Sequence, residues 1–115
     1  MITLSESAKP IDNIFRALSD PTRRLVLERL SKSSASVSEL AEPFDMALPS
    51  FVQHMGILED CGLVQSRKAG RVRTYQLAPQ RLKLAENWLA RQRTIWDKRL
   101  DQLDTYLDSL KEKHE

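Results

Sequence analysis

The chain has little of what many folds need. A single cysteine among 115 residues, Cys61, leaves no partner for an internal disulfide. Three glycines, five prolines and 6% aromatic residues are too few for the frequent turns of a many-stranded or loop-rich protein, so helix should dominate. No apolar run approaches the roughly 18 residues that a membrane span requires. Met1 to Pro10 lacks the basic-then-apolar pattern of an export signal, and a soluble cytoplasmic protein with no membrane partner is expected. With 41% hydrophobic against 30% charged residues, the chain can close one modest core, which argues against a multidomain enzyme.

Histidine is scarce as well. His54 and His114 are the only two, and no Ser, Cys or carboxylate stands near either in a recognisable nucleophile or metal spacing. A phosphate-cradling Gly-rich loop is also missing, so neither a catalytic residue nor a cofactor is expected. Cys61 reads either as a redox sensor, if exposed near positive charge, or as a small packed side chain beside Gly62.

What is present is an uneven distribution of charge. The net charge of +2 is small, yet Val64 to Tyr75 holds Arg67, Lys68, Arg71 and Arg73 with no acid among them. Lys32 to Asp60, by contrast, carries one base against five acids. Taken alone, the basic stretch is either a solvated hairpin or a phosphate-binding one.

Hydrophobic spacing sets out the elements. Ile11, Ile14, Phe15 and Leu18 fit one helix, and Ser19-Asp20-Pro21 supplies a stop, a cap and a first-turn proline for a second, expected over Pro21 to Leu30. In this second helix Leu25, Val26, Leu27 and Leu30 are expected inward, with Arg23, Arg24, Glu28 and Arg29 on the polar side. Ser36-Val37-Ser38-Glu39 has the spacing of a capping box and opens a short helix that Pro43 limits. The next helix runs from about Leu48 to Cys61, with Phe51, Met55 and Leu58 on one face and Gly62 placed for a left-handed cap. A β-hairpin turning at Gly70 follows, over Leu63 to Leu77.

Pro79 opens the last helix, to about Leu110. Leu82, Ala85, Leu89, Gln92, Trp96, Leu100, Leu103, Leu107 and Leu110 step along it by three or four, close to a heptad seam. Roughly 30 residues at ~1.5 Å each make a rod ~45 Å long. A stripe of that length either folds back on its own domain or is covered by a second copy, and the second copy is the expectation.

Short helix, tight junction, second helix and basic hairpin is the order of a winged helix-turn-helix, mainly α with a two-stranded β-hairpin wing. The residues DNIFRALSDPTRRLVLERL, SVSELAEPFDMALPSFVQHMGILEDCGLV and RKAGRVRTYQL resemble the ArsR/SmtB family of bacterial transcriptional repressors over about Asp12 to Leu77. The last helix is similar to the dimerisation helix of members without metal sites. The resemblance implies a flexible N-terminus at 1–10, a winged-helix DNA-binding domain at 11–78 and a C-terminal dimerisation helix at 79–115. It also implies a homodimeric, cytoplasmic repressor that binds double-stranded DNA at an inverted repeat and is not an enzyme. An unidentified small-molecule inducer is compatible with that reading. A winged-helix protein-interaction module without DNA binding is the alternative, kept open because this recognition helix has no Lys or Arg.

Within the resemblance, Leu48 to Leu58 is the recognition helix and the Gly70 hairpin the wing. Gln53 is the leading base reader, because an amide both donates to and accepts from the major-groove edge of adenine. Leu48, Pro49, Ser50 and His54 complete the recognition-helix set. Leu48 reads as a thymine-methyl contact or as core, and His54 as a base contact, a backbone-phosphate contact or packing. Lys68, Arg71 and Arg73 on the wing and Arg23 at the start of the second helix are the expected phosphate contacts. Trp88, Leu89, Gln92, Trp96, Leu100, Leu103 and Leu107 are the expected dimer interface. The Cys-Val-Cys of the metal-sensing members is replaced by Ser36-Val37-Ser38, and His114 lies in the tail, so no metal site is expected.

Overall fold

The computed structural model describes residues 10–113. Helix α1 spans Pro10–Leu18 and α2 Pro21–Leu30, separated by only Ser19 and Asp20. Asp20 caps α2 by accepting a hydrogen bond from the Arg23 backbone N–H at 3.1 Å. Strand β1 is Ala35–Ser36, and α3 is the short helix Val37–Ala41. The capping box is complete: the Ser36 hydroxyl accepts from Glu39 N–H, and the Glu39 carboxylate accepts from Ser36 N–H, each at 3.2 Å. These bonds from Ser36 hold the Glu39 carboxyl below its ordinary pKa, so the box stabilises the fold above the carboxylate range and loses that contribution as pH falls through it.

Helix α4 runs Leu48–Asp60 and ends in a Schellman motif, in which Leu63 N–H donates to Leu58 C=O and Gly62 N–H to Glu59 C=O, both at 3.0 Å. Gly62 has φ +82°, the left-handed conformation that favours glycine, and the exposed Arg81 side chain packs across its open face, 2.6 Å from where a Cβ would lie. Strands β2, Val64–Ala69, and β3, Val72–Leu77, form the hairpin, with Gly70 at φ +62° in a two-residue turn. A 3₁₀ turn at Pro79–Arg81 leads into α5, Leu82–Lys113.

The two-stranded hairpin is as the sequence reading has it, with one strand added and one helix face corrected. The sheet has three strands, order β1-β3-β2, because Ala35 and Ser36 pair antiparallel with Tyr75 and Thr74. In α2 the inward stripe is Arg23, Val26, Leu27 and Leu30, as a 3.6-residue period from Pro21 requires; Arg23 is therefore 8% exposed, and Leu25 is turned out at 52%.

The chain divides into two units, Met1–Ala85 and Glu86–Glu115. In the first, Ile14, Val26, Leu40, Phe51, Met55 and Leu58 are fully enclosed, and Phe44 and Phe51 stack with ring centroids 5.5 Å apart. Leu82 and Ala85, on the first turn of α5, join this core. In the second, none of the described residues is buried. Trp96, Leu100, Leu103 and Leu107 stay 46–59% exposed in the single chain. Residues 1–9, the bulk of the expected flexible N-terminus, lie outside the described residues, as does His114; Pro10 is already helical.

Candidate nucleic-acid interface

Period and polarity divide α4 cleanly. Phe51, Met55 and Leu58 fill the core, which turns Leu48, Pro49, Ser50, Val52 and Gln53 to solvent. Two large apolar side chains on that face, Leu48 at 54% and Val52 at 46% exposed, accompany the amide of Gln53 and the hydroxyl of Ser50. Ala47 at the N-cap makes no side-chain hydrogen bond, so the first turn keeps its outward dipole free of an acidic cap. No Lys or Arg lies within α4.

His54 sits on the border between the two faces, its side chain 22% exposed. Its Nδ1 is 3.0 Å from Arg23 Nη1 and 3.7 Å from Asp20 Oδ2. Arg23 was expected as a phosphate contact, but its guanidinium is engaged elsewhere. Nε donates to Ala17 C=O at 2.8 Å and Nη2 to Arg16 C=O at 3.0 Å. Arg24 Nη1 donates to Leu18 C=O at 2.8 Å. The cause is local: the last carbonyls of α1 lack helical partners, Ser19 at the junction reaches only Arg16 C=O through its N–H and hydroxyl, and two arginines on the next turn reach back to Arg16, Ala17 and Leu18. Burial works to raise the Asp20 pKa, but the opposing influences, the bond from the Arg23 backbone N–H largest among them, hold the carboxyl below its ordinary value.

The wing places its cations differently. Lys68 and Arg73 are direct cross-strand partners, and both are exposed, as are Arg67 and Arg71. Arg73 Nη1 donates to Ser66 Oγ at 2.7 Å, and Ser66 Oγ donates to Glu59 Oε2 at 2.6 Å, a chain that ties the wing to the end of α4. Sequence reasoning missed this link, whose one local sign is that Ser66 and Arg73 lie on neighbouring strands.

Cys61 closes α4 as a 5% exposed side chain whose Sγ donates to Leu58 C=O at 3.3 Å, and burial pushes its thiol pKa up. Of its two readings, packing is the one observed. The Ser36 hydroxyl, where the metal-sensing members carry a thiolate, is occupied by its cap. Among the described residues no group of three or more His, Cys, Asp or Glu is arranged to hold a metal ion.

This architecture is shared with known proteins. A family model described as a helix-turn-helix domain matches residues 18–67. The transcriptional repressor SdpR of Bacillus subtilis is 32% identical over 79 residues, covering 69% of this chain and 88% of that protein. The crystal structure of an ArsR family transcriptional regulator, RHA00566, is 52% identical, with a TM-score of 0.74 over 77% of this chain and 98% of that one. The chain belongs to the ArsR/SmtB family. An ArsR-like transcriptional regulator from Rhodococcus sp. RHA1, 30% identical, covers 94% of this chain and 98% of its own, with a TM-score of 0.76. This ArsR-family chain is thus a sequence-specific DNA-binding transcriptional regulator, not an enzyme. No helix among the described residues is long and apolar enough to cross a membrane.

Proposed function

We propose that the protein is a homodimeric repressor whose two α4 helices read the half-sites of an inverted repeat, with Gln53 as the main base reader and Leu48, Pro49 and Ser50 around it. Lys68 and Arg71 on the wing neutralise flanking phosphates, and Arg73 holds the wing against α4 while adding charge. The facing of Lys68 and Arg73 across the hairpin supports this most directly. Like charges directly opposite on a sheet are destabilising, and an anion between them relieves the repulsion. The exposed stripe Trp96, Leu100, Leu103 and Leu107, with Trp88, Leu89 and Gln92, supplies the dimer contact. The name repressor follows the similar SdpR.

Selection of bound duplexes from a random pool by the full-length protein tests this reading. An inverted repeat with half-site centres ~34 Å apart is the expected outcome. A single asymmetric site, or no enriched sequence, would overturn it. On the selected duplex, Gln53→Ala should cost ~1–3 kcal/mol and relax one base pair per half-site. Arg71→Ala should weaken binding on every sequence and make the slope of log K against log salt shallower by about 0.9 for each phosphate contact removed.

A further inference from the structure

We infer that Arg23 presets His54 as the tautomer protonated on Nε2, and that His54 serves the recognition helix as a neutral hydrogen-bond donor to a DNA backbone phosphate. The inference rests on the DNA-binding reading above and assigns His54 one of the roles the sequence left open.

The first half follows from donor chemistry. A guanidinium carries only donors, so the 3.0 Å contact between Arg23 Nη1 and His54 Nδ1 requires a lone pair on Nδ1. A neutral imidazole accepting at Nδ1 carries its proton on Nε2. The competing form, with Nδ1–H donating to Asp20, is not the arrangement present, because Asp20 Oδ2 stands at 3.7 Å, beyond hydrogen-bond reach, while Arg23 Nη1 stands at 3.0 Å. Arg23 cannot swing away, being 8% exposed and held by two α1 carbonyls through Nε and Nη2. The ring is therefore oriented by a group that is itself fixed, and Arg23 is a positioning residue.

The second half follows from place. Base readers of a helix-turn-helix lie toward the N-terminus of the recognition helix, where Leu48, Ser50 and Gln53 are exposed. His54 comes after them, half-buried and tethered to the α1–α2 junction. A short, anchored ring at the edge of the exposed face suits the backbone alongside the groove rather than a base edge within it. It also gives α4, which has no Lys or Arg, a phosphate donor.

The test separates the tautomer from the DNA contact. In full-length protein labelled with 15N in its two histidines, with His54 assigned by comparison with His54→Gln, the ring signals near neutral pH should show Nδ1 unprotonated and Nε2 protonated. Arg23→Lys, which keeps the charge but not the fork, should give a mixture of tautomers. A mixture already in the wild type, or an unchanged ring in Arg23→Lys, overturns the role of Arg23.

For the DNA contact, affinity is measured against the selected duplex and a scrambled duplex over a range of salt. His54→Ala should lose about 3- to 10-fold on both, as one hydrogen bond implies, with the salt slope unchanged because the donor is neutral. His54→Gln, whose amide nitrogen approximates Nε2, should recover most of the loss, and His54→Asn should not. Full affinity in His54→Ala, a loss confined to the selected duplex, or a changed slope overturns the phosphate role while leaving the DNA-binding reading intact. A wild type that binds neither duplex overturns both, yet the tautomer result still decides the role of Arg23.

Discussion

The two units of the chain satisfy their apolar side chains in opposite ways. Up to Ala85, seven large aliphatic and aromatic residues are fully enclosed, Phe51 and Met55 on α4 among them, while Leu25, Leu48, Val52, Val72 and Leu84 stay 41–54% exposed around that core. From Glu86 onward, two tryptophans, a tyrosine and four leucines remain 37–60% exposed. The first unit carries its own core, whereas the second is a helix that encloses none of these side chains by itself. The proposed dimer accordingly divides the labour: one unit folds and faces DNA, and the other supplies the surface that sets two such units side by side.

Substitutions that act on one unit and spare the other give this contrast its sharpest form. Phe51→Ala should cost ~3–5 kcal/mol in urea unfolding at any protein concentration, since it opens a cavity in a finished core. Leu100→Asp should leave the helical signal of the first unit in place but weaken self-association by ~3 kcal/mol, more than 100-fold, as a charge enters an apolar contact. Light scattering at micromolar concentration decides it, and a folded, fully dimeric variant would erase the distinction. Gly62→Ala should destabilise the first unit by ~1–2 kcal/mol, because φ is +82°, while the exposed Arg81 side chain can move aside. Gly56→Ala should instead stabilise it by ~0.5–1 kcal/mol. Gly56 lies inside α4 with nothing within 4 Å of a new Cβ, so only backbone entropy changes.

How much could be read from the sequence follows the distance over which each feature is specified. Asp20 before Pro21, Ser36 three residues before Glu39, and Gly62 after Cys61 are local signals, and each marks the boundary the structure has. Strand β1 was hidden because Ala35 and Ser36 carry no alternation of their own and become a strand only against Tyr75 and Thr74. Arg23 was misplaced for a related reason. Its charge pointed outward, while the stripe it belongs to, and the carbonyls of Arg16 and Ala17 that it satisfies, turn it in. The exposed face of α4 was legible from the period of Phe51, Met55 and Leu58. The tethering of His54 was not, since its partner lies on another helix.

The lone thiol at the end of α4 turns the protein into its own stopwatch. Thiolate is the reactive form, and Cys61 is both enclosed and shifted away from that form, so an alkylating reagent must wait for the first unit to open. The labelling rate then reports the opening equilibrium of the very segment that carries α4, free of interference from any second cysteine. Slower labelling with the selected duplex bound would measure, in a single time course, how strongly DNA holds that segment shut.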